Sequence, residues 1–76
     1  MSILSALEGG QTAIVSGLDG GQRFVSRASA MGFTPDTPVT MVQNKGRGPV
    51  LVYLRDTQVA LGRGEAAKIH VERRGE

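Results

Sequence analysis

The chain has 76 residues, with nine Lys/Arg against seven Asp/Glu, two Phe, one Tyr and no cysteine or tryptophan. This length gives one domain, residues 1–76, which buries only roughly 60–65% of the surface its unfolded chain exposes. The missing cysteines exclude a disulfide framework, a thiolate metal site and a cysteine nucleophile. Apolar runs of about five residues fall well short of the ~20 that cross a bilayer as a helix. Met1 to Leu7 lacks the basic start and sustained apolar segment of a signal peptide, so a soluble, cytoplasmic protein is expected.

Ser2 to Gly10 reads as a lead-in, with Leu4 and Leu7 on the domain edge and a turn at Glu8-Gly9-Gly10. Gln11 to Leu18 is the first strand, with Ala13, Val15 and Gly17 on one face and Thr12, Ile14 and Ser16 on the other. The Asp19-Gly20-Gly21 loop then leads into a helix from Gln22 to Met31. Its glycines allow an anion at the helix start, but a plain strand-to-helix turn explains them as well. Phe24, Val25, Ala28 and Met31 share one face of that helix, and Arg23, Ser26 and Arg27 lie on the other. Gly32 closes the helix in a left-handed conformation, and Phe33 packs back on the last turn. Thr34-Pro35-Asp36 turns the chain away.

Thr37 to Asn44 is the second strand, with Val39 and Met41 inward and Pro38 confined to its start. Lys45-Gly46-Arg47-Gly48-Pro49 is a basic loop. Val50–Leu54 and Gln58–Leu61 pair as a hairpin through Arg55-Asp56-Thr57, with Val50, Val52 and Leu54 facing the core. Arg63–Ala67 fits a single turn of 3₁₀ helix. Lys68–Glu72 is the last strand, with Ile69 and Val71 inward and His70 outward, and Arg73–Glu76 is a frayed tail. About five short antiparallel strands with one α-helix after the first make a mainly β fold, a small, strongly bent SH3-like barrel.

Chemistry is sparse. A single histidine on an outward position reads as solvated, and the carboxylates are scattered along the chain, so neither a metal site nor a cofactor is expected. No catalytic residue and no Walker-type phosphate loop is present, which argues against an enzyme. The Lys45–Pro49 loop is either a solvated hairpin loop or a contact patch for an acidic partner or for phosphates. Tyr53 either anchors an interface or covers the barrel surface. Arg23 and Arg27, one turn apart, are either a solvated face or a docking face. The candidate partner-binding residues are therefore Arg23, Ser26, Arg27, Lys45, Arg47 and Tyr53.

Leu7 through Gly10, Gly20-Gly21, Met31-Gly32-Phe33, Pro35 with Val39, Pro49-Val50, Val59-Ala60-Leu61, Glu65-Ala66 and Ile69-His70-Val71 together resemble the ferrous iron transport protein A (FeoA) family. The resemblance spans nearly the whole chain, and its specificity lies in the order of many apolar and glycine positions. It implies an SH3-like barrel and a small cytoplasmic accessory protein of bacterial ferrous iron uptake. Such a protein binds and modulates the GTPase portion of the membrane iron transporter (FeoB). The same barrel is similar to the C-terminal domain of metal-dependent repressors. This chain has Pro35-Asp36 where the family usually has Pro-Gly, so a type I turn without positive φ is expected there. The alternative is a nucleic-acid-binding or repressor-type SH3-like interaction module; nucleic-acid binding would use the basic loop with Tyr53 as the one stacking side chain and lose affinity steeply with salt.

Overall fold

Alternation of apolar and polar residues along the chain produces strands whose inward side chains share one core. The computed structural model describes residues 2–73. In chain order they form β1 (Ser2–Ile3), a 3₁₀ turn (Leu4–Ala6), β2 (Thr12–Leu18), α1 (Gln22–Ala30), β3 (Pro38–Gln43), β4 (Val50–Leu54), β5 (Thr57–Leu61), α2 (Arg63–Ala66) and β6 (Ile69–Arg73). The six strands form one antiparallel sheet in the order β1-β6-β2-β3-β4-β5. The sheet curls around the core as an SH3-like barrel that stays open between β1 and β5. Arg74 to Glu76, assigned above to a tail, lie outside the described residues; Arg73 belongs to β6.

Two bulges provide the curl. One lies between Val15 and Gly17 in β2, the other between Met41 and Gln43 in β3. Each places an extra residue against the partner strand, which bends the strand and raises its local twist. The first bulge also changes which residues face inward. Leu18 pairs with the buried Ile69 and packs against the core, while Gly17 falls opposite His70. The alternation that put Gly17 on the inner face stops at the bulge.

The lead-in is part of the core rather than the domain edge. Leu4 and Leu7 are both fully buried. Ser2 and Ile3 pair with Val71 and His70, and the 3₁₀ turn that follows drops both leucines inside. Asn44 holds the turn, its Nδ2 donating to the carbonyl oxygens of Ser5 at 3.0 Å and Leu7 at 2.7 Å. This segment is too short to show periodicity.

Helix α1 buries Phe24 and Ala28, with Val25 and Met31 half-buried against the core. It ends as expected. The N–H of Phe33 donates to the Ala28 carbonyl and that of Gly32 to Ser29, both at 3.0 Å, with Gly32 at φ 108°. These are the two bonds of a Schellman motif, and the buried Phe33 and Ala28 supply its apolar contact. A Cβ on Gly32 would also meet Arg55 Cδ at 2.9 Å.

The turn chemistry departs from expectation at three residues. Asp36 has φ 72°, so the Thr34–Thr37 turn carries a left-handed residue and is not type I. Asp and Asn tolerate that region better than other side-chain-bearing residues, and the ladder bonds Asp36 N–H to Val15 O at 2.8 Å and Val15 N–H to Thr37 O at 2.9 Å hold it there. In the second hairpin Arg55 and Asp56 have φ 51° and 61°. They form a two-residue type I′ turn whose twist matches the strands, which leaves Thr57 in β5. The last one-turn helix is α rather than 3₁₀, with Ala66 and Ala67 donating to Gly62 and Arg63.

Leu4→Ala should destabilise the protein by about 2–5 kcal/mol, as a fully buried leucine does. Gly32→Ala should cost about 1–2 kcal/mol through the left-handed backbone. Urea denaturation measures both; a loss below about 0.5 kcal/mol for Leu4→Ala would put that residue back on the edge.

Candidate interaction surface

Among the described residues no group of three or more His, Asp or Glu is placed to hold a metal ion. His70, expected to be solvated, is half-buried, and its Nε2 lies 2.5 Å from Asp19 Oδ2. Asp19 also donates its N–H to the Lys68 carbonyl at 2.7 Å. The pair therefore ties β6 to the loop that enters α1, and it sets a carboxylate rather than an anion-accepting space beside the helix start. Lys68 crosses the same junction, its Nζ lying 5.2 Å from the centroid of the Phe24 ring. That distance suits a cation–π contact.

Arg23 and Ser26 are exposed on α1 as its periodicity requires. Arg27 is also largely exposed, yet its Nη2 donates to Glu65 Oε2. Glu65 Oε1 in turn accepts the Gly62 N–H at 3.2 Å, which caps α2. Arg27 therefore fastens one helix to the other and is not an unengaged cation.

Lys45 and Arg47 are exposed on the β3–β4 loop. The stem of that loop is fixed by Asn44, whose Oδ1 accepts from Gly46 N–H at 3.0 Å and from Arg63 Nη2 at 2.6 Å. Arg63 Nε, beside it, is buried without a hydrogen-bond partner among the described residues. Tyr53 stands on the outer face of β4, 43% exposed. It belongs to a row that runs across the sheet from Thr12 through Thr40 and Tyr53 to Gln58. Val42, also 43% exposed, is the extra residue of the β3 bulge. Tyr53 and Val42 are the large apolar side chains left exposed among the described residues.

The six expected contact residues thus fall into two groups. Arg23, Ser26 and Arg27 lie on α1; Lys45, Arg47 and Tyr53 lie on the β3–β4 loop and the outer sheet. Among the described residues the side-chain contacts that span the two groups pass through α2, by Arg27–Glu65 on one side and Arg63–Asn44 on the other. Sequence reasoning missed Asn44, Arg63 and Glu65. Besides local bonds to Gly46 and Gly62, they have partners 19 or more residues away, and no local pattern marks those links.

Fold and surface define a class: a small open SH3-like barrel with a mixed-charge surface and no group of residues placed to hold a metal ion among those described. Residues 3–73 match the FeoA domain, and the chain belongs to the FeoA family, which is involved in ferrous iron transport. It is 33% identical over 63 residues to "Putative Fe(2+) transport protein A" of Methanocaldococcus jannaschii, covering 83% of this chain and 76% of that protein. A crystal structure of an iron uptake regulatory protein, FeoA, superposes with a TM-score of 0.87 at 26% identity, covering 92% of this chain and 93% of the other. The FeoA of Stenotrophomonas maltophilia, solved with zinc and described as an SH3 domain protein, gives a TM-score of 0.83 at 27% identity over 95% and 91% of the two chains. A role in activating bacterial ferrous iron transport has been suggested for that protein. A manganese-dependent transcriptional repressor shares the fold, with a TM-score of 0.83 at 20% identity over 93% of this chain and 40% of the repressor.

The Tyr53 hydroxyl donates to Asp56 Oδ1 at 3.1 Å. That bond, and then the carboxylate's charge, hold the phenol above its ordinary value of 10.0. The folded state thus favours the neutral phenol; the preference is in place at neutral pH and is lost as pH rises through the raised value. With one tyrosine and no tryptophan, ultraviolet titration reads this group alone. The midpoint should lie above that of a free tyrosine and fall towards it in Asp56→Asn, a residue that also tolerates positive φ.

Proposed function

We propose that this protein is a cytoplasmic, non-enzymatic accessory of ferrous iron uptake that docks on the GTPase portion of the membrane ferrous iron transporter and modulates it. The observation that carries this reading is the match to the FeoA domain over residues 3–73. The surface supports it. Arg23, Ser26, Lys45, Arg47 and Tyr53 are exposed, and these charges sit on a scaffold already tied down by Asn44 and Glu65. Arg27 contributes through its remaining exposed surface and by fixing the attitude of α1. Exposed charges at an interface rim contribute modestly, so the central contacts fall to the apolar Tyr53 and Val42.

The nucleic-acid alternative gains nothing from the geometry. Tyr53, its one stacking candidate, is hydrogen-bonded to the Asp56 carboxylate, a charge that repels a phosphate backbone.

Binding of the transporter's purified GTPase portion, in each nucleotide state and at low salt, tests the proposal. Arg23→Glu and Lys45→Glu should each weaken binding about 2–5-fold, in keeping with single rim charges, and Tyr53→Ala should weaken it more. No binding in any nucleotide state at low salt would sink the reading.

A further inference from the structure

Strand β5 ends the sheet, and its outer edge is unpaired among the described residues. Its sequence, Thr57-Gln58-Val59-Ala60-Leu61, has no charge, no proline and no bulge. Those are the devices by which proteins blunt an edge strand. The opposite edge, β1, is only two residues long, too short to act as a template. The hairpin fixes which groups the β5 edge offers. Leu54 and Thr57 flank the two-residue turn and exchange hydrogen bonds, so Val59 and Leu61 also point their backbone groups at β4. Gln58 and Ala60, both exposed, point theirs outward. Among the described residues no loop, cap or side-chain hydrogen bond reaches either residue.

We infer that β5 is a self-pairing edge, at which two copies of this chain join antiparallel about a two-fold axis at Val59. In that register Gln58 of each copy faces Ala60 of the other, and each pair exchanges both backbone bonds. The charges flanking β5 select a second copy. Asp56 lies at its start, and among the described residues takes a hydroxyl but no cation. Arg55 reaches away, towards Thr34 Oγ1 at 3.5 Å. Beyond the other end of β5 lie Arg63 and the Lys45–Arg47 loop, because Leu61 pairs with Val50 where that loop enters β4. In that register Asp56 of each copy falls opposite Gly62 of the other and next to its Arg63, so a carboxylate approaches a cation at both ends. The contact is small against the ~1,200 Å² at the low end of stable interfaces, so the dimer is weak and forms at protein concentrations of about 0.1–1 mM.

The inference does not rest on docking to the transporter, and the isolated protein tests it. Sedimentation should show a monomer–dimer equilibrium in the 0.1–1 mM range. Over the same range, amide NMR should show the Gln58 and Ala60 N–H groups shifting and gaining exchange protection, with Val59 protected throughout. Asp56→Asn or added salt should weaken association about 3–10-fold, from two symmetric charged contacts. Ala60→Pro should abolish it and leave the β4 ladder intact, because the lost N–H faces outward. Gln58→Lys should abolish it without altering the backbone at all, so a folding failure of Ala60→Pro does not remove the test. Three outcomes would overturn the proposal: a monomer at 1 mM with freely exchanging Gln58 and Ala60 amides, a dimer protected elsewhere, or protection of these amides only when another protein is added.

Discussion

The Asn44 side chain occupies the junction on which the open barrel depends. Its Nδ2 donates to two carbonyls of the N-terminal turn, and its Oδ1 accepts from the Gly46 N–H and from Arg63. Both donors and both acceptor positions of the amide are thereby used. The sheet does not close on itself, and the N-terminal turn adds the fully buried Leu4 and Leu7 to its core. The segment that carries them has a two-residue strand as its ladder contact. Its remaining carbonyls need a partner, and leaving such groups unmatched costs about 1–3 kcal/mol each. One amide meets that need, fixes the stem of the basic loop and seats α2.

Most of the fold is legible because the physics that builds it is local. Period-two alternation marks β3, β4 and β5, and the 3.6-residue spacing of Phe24, Ala28 and Met31 with Gly32 behind them marks α1 and its end. Illegible features arise where tertiary structure overrules a local preference. Asp36, Arg55 and Asp56 adopt positive φ because the ladders on either side dictate it, although glycine is the residue that signals such turns. The β2 bulge reverses the side on which Gly17 and Leu18 fall, and nothing in the order of residues announces it. Leu4 and Leu7 are apolar and therefore eligible for burial, but their place in the core depends on Asn44, 37 residues beyond Leu7.

The candidate surface divides in the same way. Exposure is readable: all six residues named from periodicity and loop position reach solvent. Engagement is not. Arg23 and Arg27 look equivalent one turn apart, yet Arg27 is held by Glu65, 38 residues away. His70 looks like a solvated outward residue but meets Asp19 across 51 residues. Such contacts decide which side chains brace the scaffold, and they appear only when the chain is folded.

The docking face and the self-pairing edge proposed above share part of one small surface. Tyr53 pairs with Gln58 across β4 and β5, so the outer face proposed for the transporter adjoins the edge proposed for self-association. Lys45 and Arg47 flank both. The α1 face, with Arg23 and Ser26, lies on a different element and is linked to that region through α2, by Glu65 on one side and Arg63 on the other. A dimer joined at β5 would draw Asp56 of one copy towards the cations of the other and so lower the positive charge the loop presents. Self-pairing and docking then compete for the loop and the outer sheet but not for α1. The weaker contact yields to the stronger as concentrations change, by mass action alone and with no change in the fold.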